Sequence, residues 1–95
     1  DTNTIIVTFD RAQSNPTQAA TQAVEQPADQ VADADISKVV PITSKLVAVT
    51  LDQPVTEAEA AAIGDQVEDA DGVKAAEPSE VLTAGATDDG FYSYL

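Results

Sequence analysis

The groups able to do chemistry in this 95-residue chain are carboxylates and little else: seventeen Asp and Glu stand against four Lys and Arg, and His and Cys are both missing. Without His there is no Ser-His-Asp or Cys-His arrangement. Zinc sites built on His or Cys are excluded with it. The four glycines stand apart, at Gly64, Gly72, Gly85 and Gly90, so no phosphate-cradling loop is present. Carboxylate pairs for glycoside chemistry remain open by composition, but such a short chain supplies little core from which to build a pocket.

Calcium is the next possibility. Glu68-Asp69-Ala70-Asp71-Gly72 has the acidity of a cation-binding loop. With Gly72 at the sixth position of such a loop, Val67 falls at the first and Pro78 at the twelfth, where carboxylates are required. The cluster therefore reads as a solvated helix end, and Asp88-Asp89-Gly90 as a turn. No cofactor and no metal is expected.

One further stretch stands out. Phe91-Tyr92-Ser93-Tyr94-Leu95 follows a Gly-containing polar segment. It reads either as a terminal strand or as a peptide laid in another protein's groove by strand addition, with alternate side chains entering pockets.

The elements that position these residues are short. Thr4 to Phe9 is β-branched and aromatic, and predicts a strand. Asn15-Pro16 predicts a capped helix start with proline in the first turn. Ala19, Ala20, Ala23 and Val24 recur at helical spacing, and Pro27 should end or kink that helix. The acidic, Ala-rich residues 26–35 read as loop or frayed helix. Residues 36–42 predict a second strand, with Pro41 pointing to an edge or a bulge. Thr43-Ser44 predicts a tight turn and residues 45–51 a third strand. Thr56-Glu57-Ala58-Glu59 has the pattern of a capping box. Ala60, Ile63, Val67 and Ala70 then line one helix face, and Asp71-Gly72 ends the helix. Residues 73–77 predict the last strand.

Strand, helix, strand, strand, helix, strand is the order of an α+β, ferredoxin-like βαββαβ fold: four antiparallel strands with both helices on one face. The other face is left bare, and in a chain with so little core a bare face argues for a partner. Leu, Ile, Val and Phe make only 22 of the 95 residues, and the formal net charge is -13. Such a chain repels itself when compact. It is expected to be largely unfolded alone at low salt and to fold on its partner. The charge disfavours nucleic acid and anionic membranes as partners. No run is long and apolar enough to span a membrane.

Taken in order, Thr4-Ile-Ile-Val-Thr-Phe9, Leu46-Val-Ala-Val-Thr-Leu51, the acidic helix and Asp71-Gly-Val-Lys-Ala-Ala-Glu-Pro78 resemble the inhibitor-type N-terminal propeptides of subtilisin-like serine proteases. The resemblance covers residue 4 to about residue 84. It implies a secreted, extracellular, non-catalytic part of a protease precursor, acting as intramolecular chaperone and tight product-like inhibitor. Its implied partner is the cognate catalytic domain, with residues 1–80 as inhibitor domain and 81–95 as extended tail. It further implies that Glu77, Ser79 and Glu80 cap the N-termini of two helices on the protease. Tyr92, Ser93, Tyr94 and Leu95 would occupy the substrate groove, with Leu95 before the cut and Tyr92 three positions earlier. Two departures from the family pattern bear on the site residues. Lys45 stands where family members usually carry Gly, and the tail after Glu77 is about ten residues longer. Val81, Leu82, Thr83 and Ala84 are therefore the alternative groove segment. The competing account is a free-standing acidic ferredoxin-like binding module of a salt-adapted organism.

Overall fold

A computed structural model describes residues 2–78. Its elements are β1 (Thr2–Phe9), α1 (Pro16–Ala32), β2 (Ile36–Pro41), β3 (Leu46–Val55), α2 (Glu57–Glu68) and β4 (Val73–Pro78). The strands form one antiparallel sheet in the order β2-β3-β1-β4. Each helix crosses over an intervening strand, α1 from β1 to β2 and α2 from β3 to β4, which makes two split βαβ units. The α+β, βαββαβ architecture expected from the sequence is the one observed.

Alternation along the strands divides their side chains between two faces. Ile5, Val7 and Phe9 of β1, Val47, Val49 and Leu51 of β3, and Val73 and Ala76 of β4 pack into one core with Ala20, Val24 and Ala28 of α1 and Ala60, Ile63 and Val67 of α2. Both helices therefore cover the same face. Ile6 and Ala48 form a separate cluster on the other face, flanked by Val40, Ile42 and Leu46.

Several elements follow from local chemistry. Asn15 caps α1 by accepting the Gln18 N–H at 3.1 Å, with Pro16 at the first helical position. In α2 the capping box is complete: Thr56 Oγ1 accepts from the Glu59 N–H at 3.1 Å, and the Glu59 carboxylate accepts from the Thr56 N–H at 2.9 Å. Pro41 lies on the edge strand β2, where its missing N–H costs no ladder bond.

The structure corrects four boundaries. First, α1 does not end at Pro27 but continues to Ala32, and residues 26–32 are helix rather than loop. Pro27 and Ala28 are both buried, so the packed face carries the helix past the backbone bond that proline cannot make. The helix closes at Asp33, which adopts the left-handed conformation (φ 51°) and donates its N–H to the Asp29 carbonyl at 2.9 Å, while the Ala34 N–H reaches the Ala28 carbonyl at 3.2 Å. Second, β3 starts at Leu46 and runs on to Val55. Beyond Leu51 it has passed the end of β2, so exposed Pro54 interrupts no ladder on that side. Third, Ile42 and Lys45 fall in the β2–β3 turn, where Thr43 Oγ1 accepts the Lys45 and Leu46 N–H groups at 3.1 and 3.0 Å. Fourth, α2 ends at Glu68 instead of reaching Asp71-Gly72, although Gly72 does take a left-handed conformation (φ 83°) in the turn before β4.

Candidate functional site: the open face of the sheet

The face away from the helices is built in three cross-strand rows. The middle row is Val40, Ala48, Ile6 and Glu77. On one side lie Lys38, Thr50 and Thr4, and on the other Leu46, Thr8 and Ala75. No helix or strand among the described residues lies over these rows. Its centre is aliphatic, and Thr4 and Thr50 bring their hydroxyls to 3.5 Å across the β1–β3 pair.

Charge is distributed unevenly over the molecule. Within the three rows the charged residues are Lys38 and Glu77, one of each sign and on opposite edge strands. Exposed acids crowd the helical side and its loops: Glu25 and Asp29 on α1, Glu57, Asp65 and Glu68 on α2, and Asp33, Asp69 and Asp71 at the helix ends. A near-neutral apolar strip is thus set into a strongly anionic protein, and it is the surface an apolar partner would meet with least electrostatic resistance.

Glu77 is exposed, on edge strand β4, and directly opposite Ile6 in the ladder. Its carboxylate stands at the margin of the aliphatic strip, placed to accept hydrogen bonds from backbone N–H groups of anything seated there. Glu77 is the one predicted site residue that falls within the described part. Ser79, Glu80, the segment Val81, Leu82, Thr83 and Ala84, and the segment Tyr92, Ser93, Tyr94 and Leu95 lie outside the described residues.

Sequence reasoning found the bare face but not its members. Their signal was present: Ile6 alternates with Ile5 and Val7, and Ala48 with Val47 and Val49, so a strand buried on both faces was spelled out. Lys38 was missed because an isolated Lys on an edge strand reads as ordinary solvation.

Elsewhere, a groove of 430 Å³ beside α1 is lined by Gln22, Glu25, Gln26, Asp29, Ala34 and Asp35. It gathers carboxylates with no nucleophile or basic group among those lining residues. Among the described residues, no three His, Cys, Asp or Glu side chains converge to hold a metal ion. No helix among them is long and apolar enough to cross a membrane. No protein-family model, curated protein or solved structure matches the chain.

Proposed function

We propose that the chain is the propeptide of a secreted subtilisin-like serine protease, acting as its folding helper and its tight, product-like inhibitor. The observation that carries this reading is the open sheet face, near-neutral and apolar, with Glu77 at its margin. The resemblance implies that this face docks on two surface helices of the protease, and a carboxylate at its edge suits their unpaired N–H groups and positive dipole ends. Glu77 supplies that carboxylate, and Ser79 and Glu80, next along the chain, are competent capping residues. The tail following β4 then reaches the substrate groove, where Tyr92 to Leu95 bind as the product of a cut after Leu95. A small core with strong self-repulsion fits a chain whose folding is completed on its partner.

Inhibition of the cognate protease by the full chain and by a chain ending at Ala84 tests the proposal. Strong inhibition lost on truncation supports Tyr92 to Leu95 as the groove segment. Equal inhibition by both moves the groove segment to Val81–Ala84. No inhibition by either sinks the reading and favours the free-standing acidic binding module.

A further inference from the structure

The cations of this protein are segregated from most of its acids. Arg11, Lys38, Lys45 and Lys74 are its four basic residues. None of them is in a helix: Lys38 and Lys74 lie on the edge strands β2 and β4, Lys45 in the β2–β3 turn and Arg11 in the loop after β1. The two helices carry six acids, and Asp33, Asp69 and Asp71 stand in the turns that close them. The strands and remaining loops of residues 2–78 hold Asp10, Asp35, Asp52 and Glu77, four acids matched by the four cations. The described residues therefore form an anionic helical layer without a base and a sheet layer close to neutral.

This segregation bears on what the open face is made to meet. A basic partner is drawn to the helical layer, and a docking face for it would keep its acids. On the open face the acids are instead withdrawn and a cation is supplied. Lys38 is exposed and shares a cross-strand row with Thr50 and Thr4. It stands on the edge opposite Glu77, three strand spacings or about 15 Å away, with the aliphatic strip between them.

We propose that the surface seated on the open face is itself acidic around an apolar centre, with a carboxylate set against Lys38. The proposal rests on the protease reading and refines it: the docking surface of the catalytic domain is anionic, and it meets this chain through the layer where repulsion is lowest. Lys38 also fixes the sense of docking. Its edge takes a carboxylate while the Glu77 edge takes backbone N–H groups, so a partner turned end for end brings carboxylate to carboxylate. A second copy of this chain would set Lys38 against Glu77, but each copy brings a net charge of -13, which opposes that pairing.

The test is the rate at which inhibition of the cognate catalytic domain sets in, at about 0.15 M salt, where the Debye length is near 8 Å. Lys38→Glu is compared with the double variant Gln26→Glu, Gln66→Glu, which has the same net charge but gains it on the exposed faces of α1 and α2. Lys38→Glu should slow association about tenfold, and the helical double variant far less. Lys38→Arg should match the parent chain and Lys38→Gln should fall between. Faster association of Lys38→Glu overturns the proposal by making the docking surface basic. Equal slowing by the helical double variant overturns it by leaving net charge as the sole cause. Slowing by Lys38→Gln as great as by Lys38→Glu, with a matching fall in the melting temperature of the free chain, overturns it by making Lys38 structural. Self-association of the parent chain that Lys38→Glu abolishes overturns it by making a second copy the occupant. Absence of inhibition by the parent chain is the failure of the protease reading and takes this proposal with it, whereas inhibition without these charge effects is the failure of this proposal alone.

Discussion

Gly64 of α2 stands so close to β4 that a methyl group on its α carbon would lie 2.6 Å from the carbonyl oxygen of Ala76. The contact is with backbone, which cannot swing aside. Nearby, the Glu68 carboxylate accepts the Ala76 N–H at 3.3 Å, so α2 holds the amide of the same β4 residue whose carbonyl it closely approaches. Gly64→Ala gains about 1 kcal/mol of helix propensity but forces the helix off the strand, at about 1–3 kcal/mol. The clash should win, with a lower melting temperature and faster hydrogen exchange in β4. A melting temperature equal to or above that of the parent chain would refute this.

Asp33 offers the opposite sign. It is exposed and held at φ 51°, a conformation that costs an ordinary residue roughly 1 kcal/mol and glycine almost nothing. Asp33→Gly should stabilise the fold by about 0.5–1 kcal/mol, and Asp33→Val should destabilise it. Denaturant titration of the two variants decides: equal midpoints would mean that the conformation carries no strain.

The capping box of α2 can be dissected directly. Thr56→Ala removes the oxygen that accepts the Glu59 N–H and should cost about 1 kcal/mol. In a domain of this size that lowers the melting temperature by about 4–8 °C. No change on substitution would mean that water replaces the cap without loss.

Salt should act strongly on the parent chain. With a formal net charge of -13, compaction brings like charges together, and raising ionic strength from about 0.01 M to 1 M shortens the Debye length from about 30 Å to 3 Å. Circular dichroism is expected to show a poorly folded chain at low salt and cooperative unfolding at high salt. A cooperative transition already present at low salt would contradict this.

On the proposed inhibitory surface, Val40→Lys is the sharpest probe. Val40 is partly buried, sits in the middle row and lies outside the main core. The fold should persist, whereas loss of about 1–2 kcal/mol of apolar burial should weaken protease inhibition about tenfold. Undiminished inhibition would remove the open face from the interaction.

Much of the architecture was legible because local signals and long-range packing agree. Asn15-Pro16 and Thr56 to Glu59 each fix a helix start through side-chain and backbone geometry within four residues, and both starts are where the sequence puts them. Ends were harder. Pro27 is a strong local stop, but the buried face formed by Val24, Pro27 and Ala28 overrides it, and burial against a sheet is not written in the helix's own residues. The extension of β3 to Val55 depends on pairing with Thr2, and the turn position of Lys45 depends on Thr43. Of the predicted site, Glu77 could be located on the face because register with Ile6 fixes it. The surrounding strip needed the cross-strand rows, which exist only once β2, β3 and β1 are paired.

The register between β1 and β4 has a mechanical consequence. Ile5 pairs with Pro78 at one end of the ladder and Phe9 with Val73 at the other, so the N-terminal segment of β1 and the C-terminal segment of β4 lie at the same end of the sheet. Because β4 has a single neighbour in the sheet, tension applied between these two segments loads the ladder rung by rung, as in a zipper, instead of shearing all rungs together. The Ile5–Pro78 rung gives first, and the Gly64–Ala76 contact lies two rungs further in, as the next obstacle to peeling. Anything that holds the tail while the rest of the domain drifts away therefore has the weakest possible direction of pull, and the domain opens from its tail end.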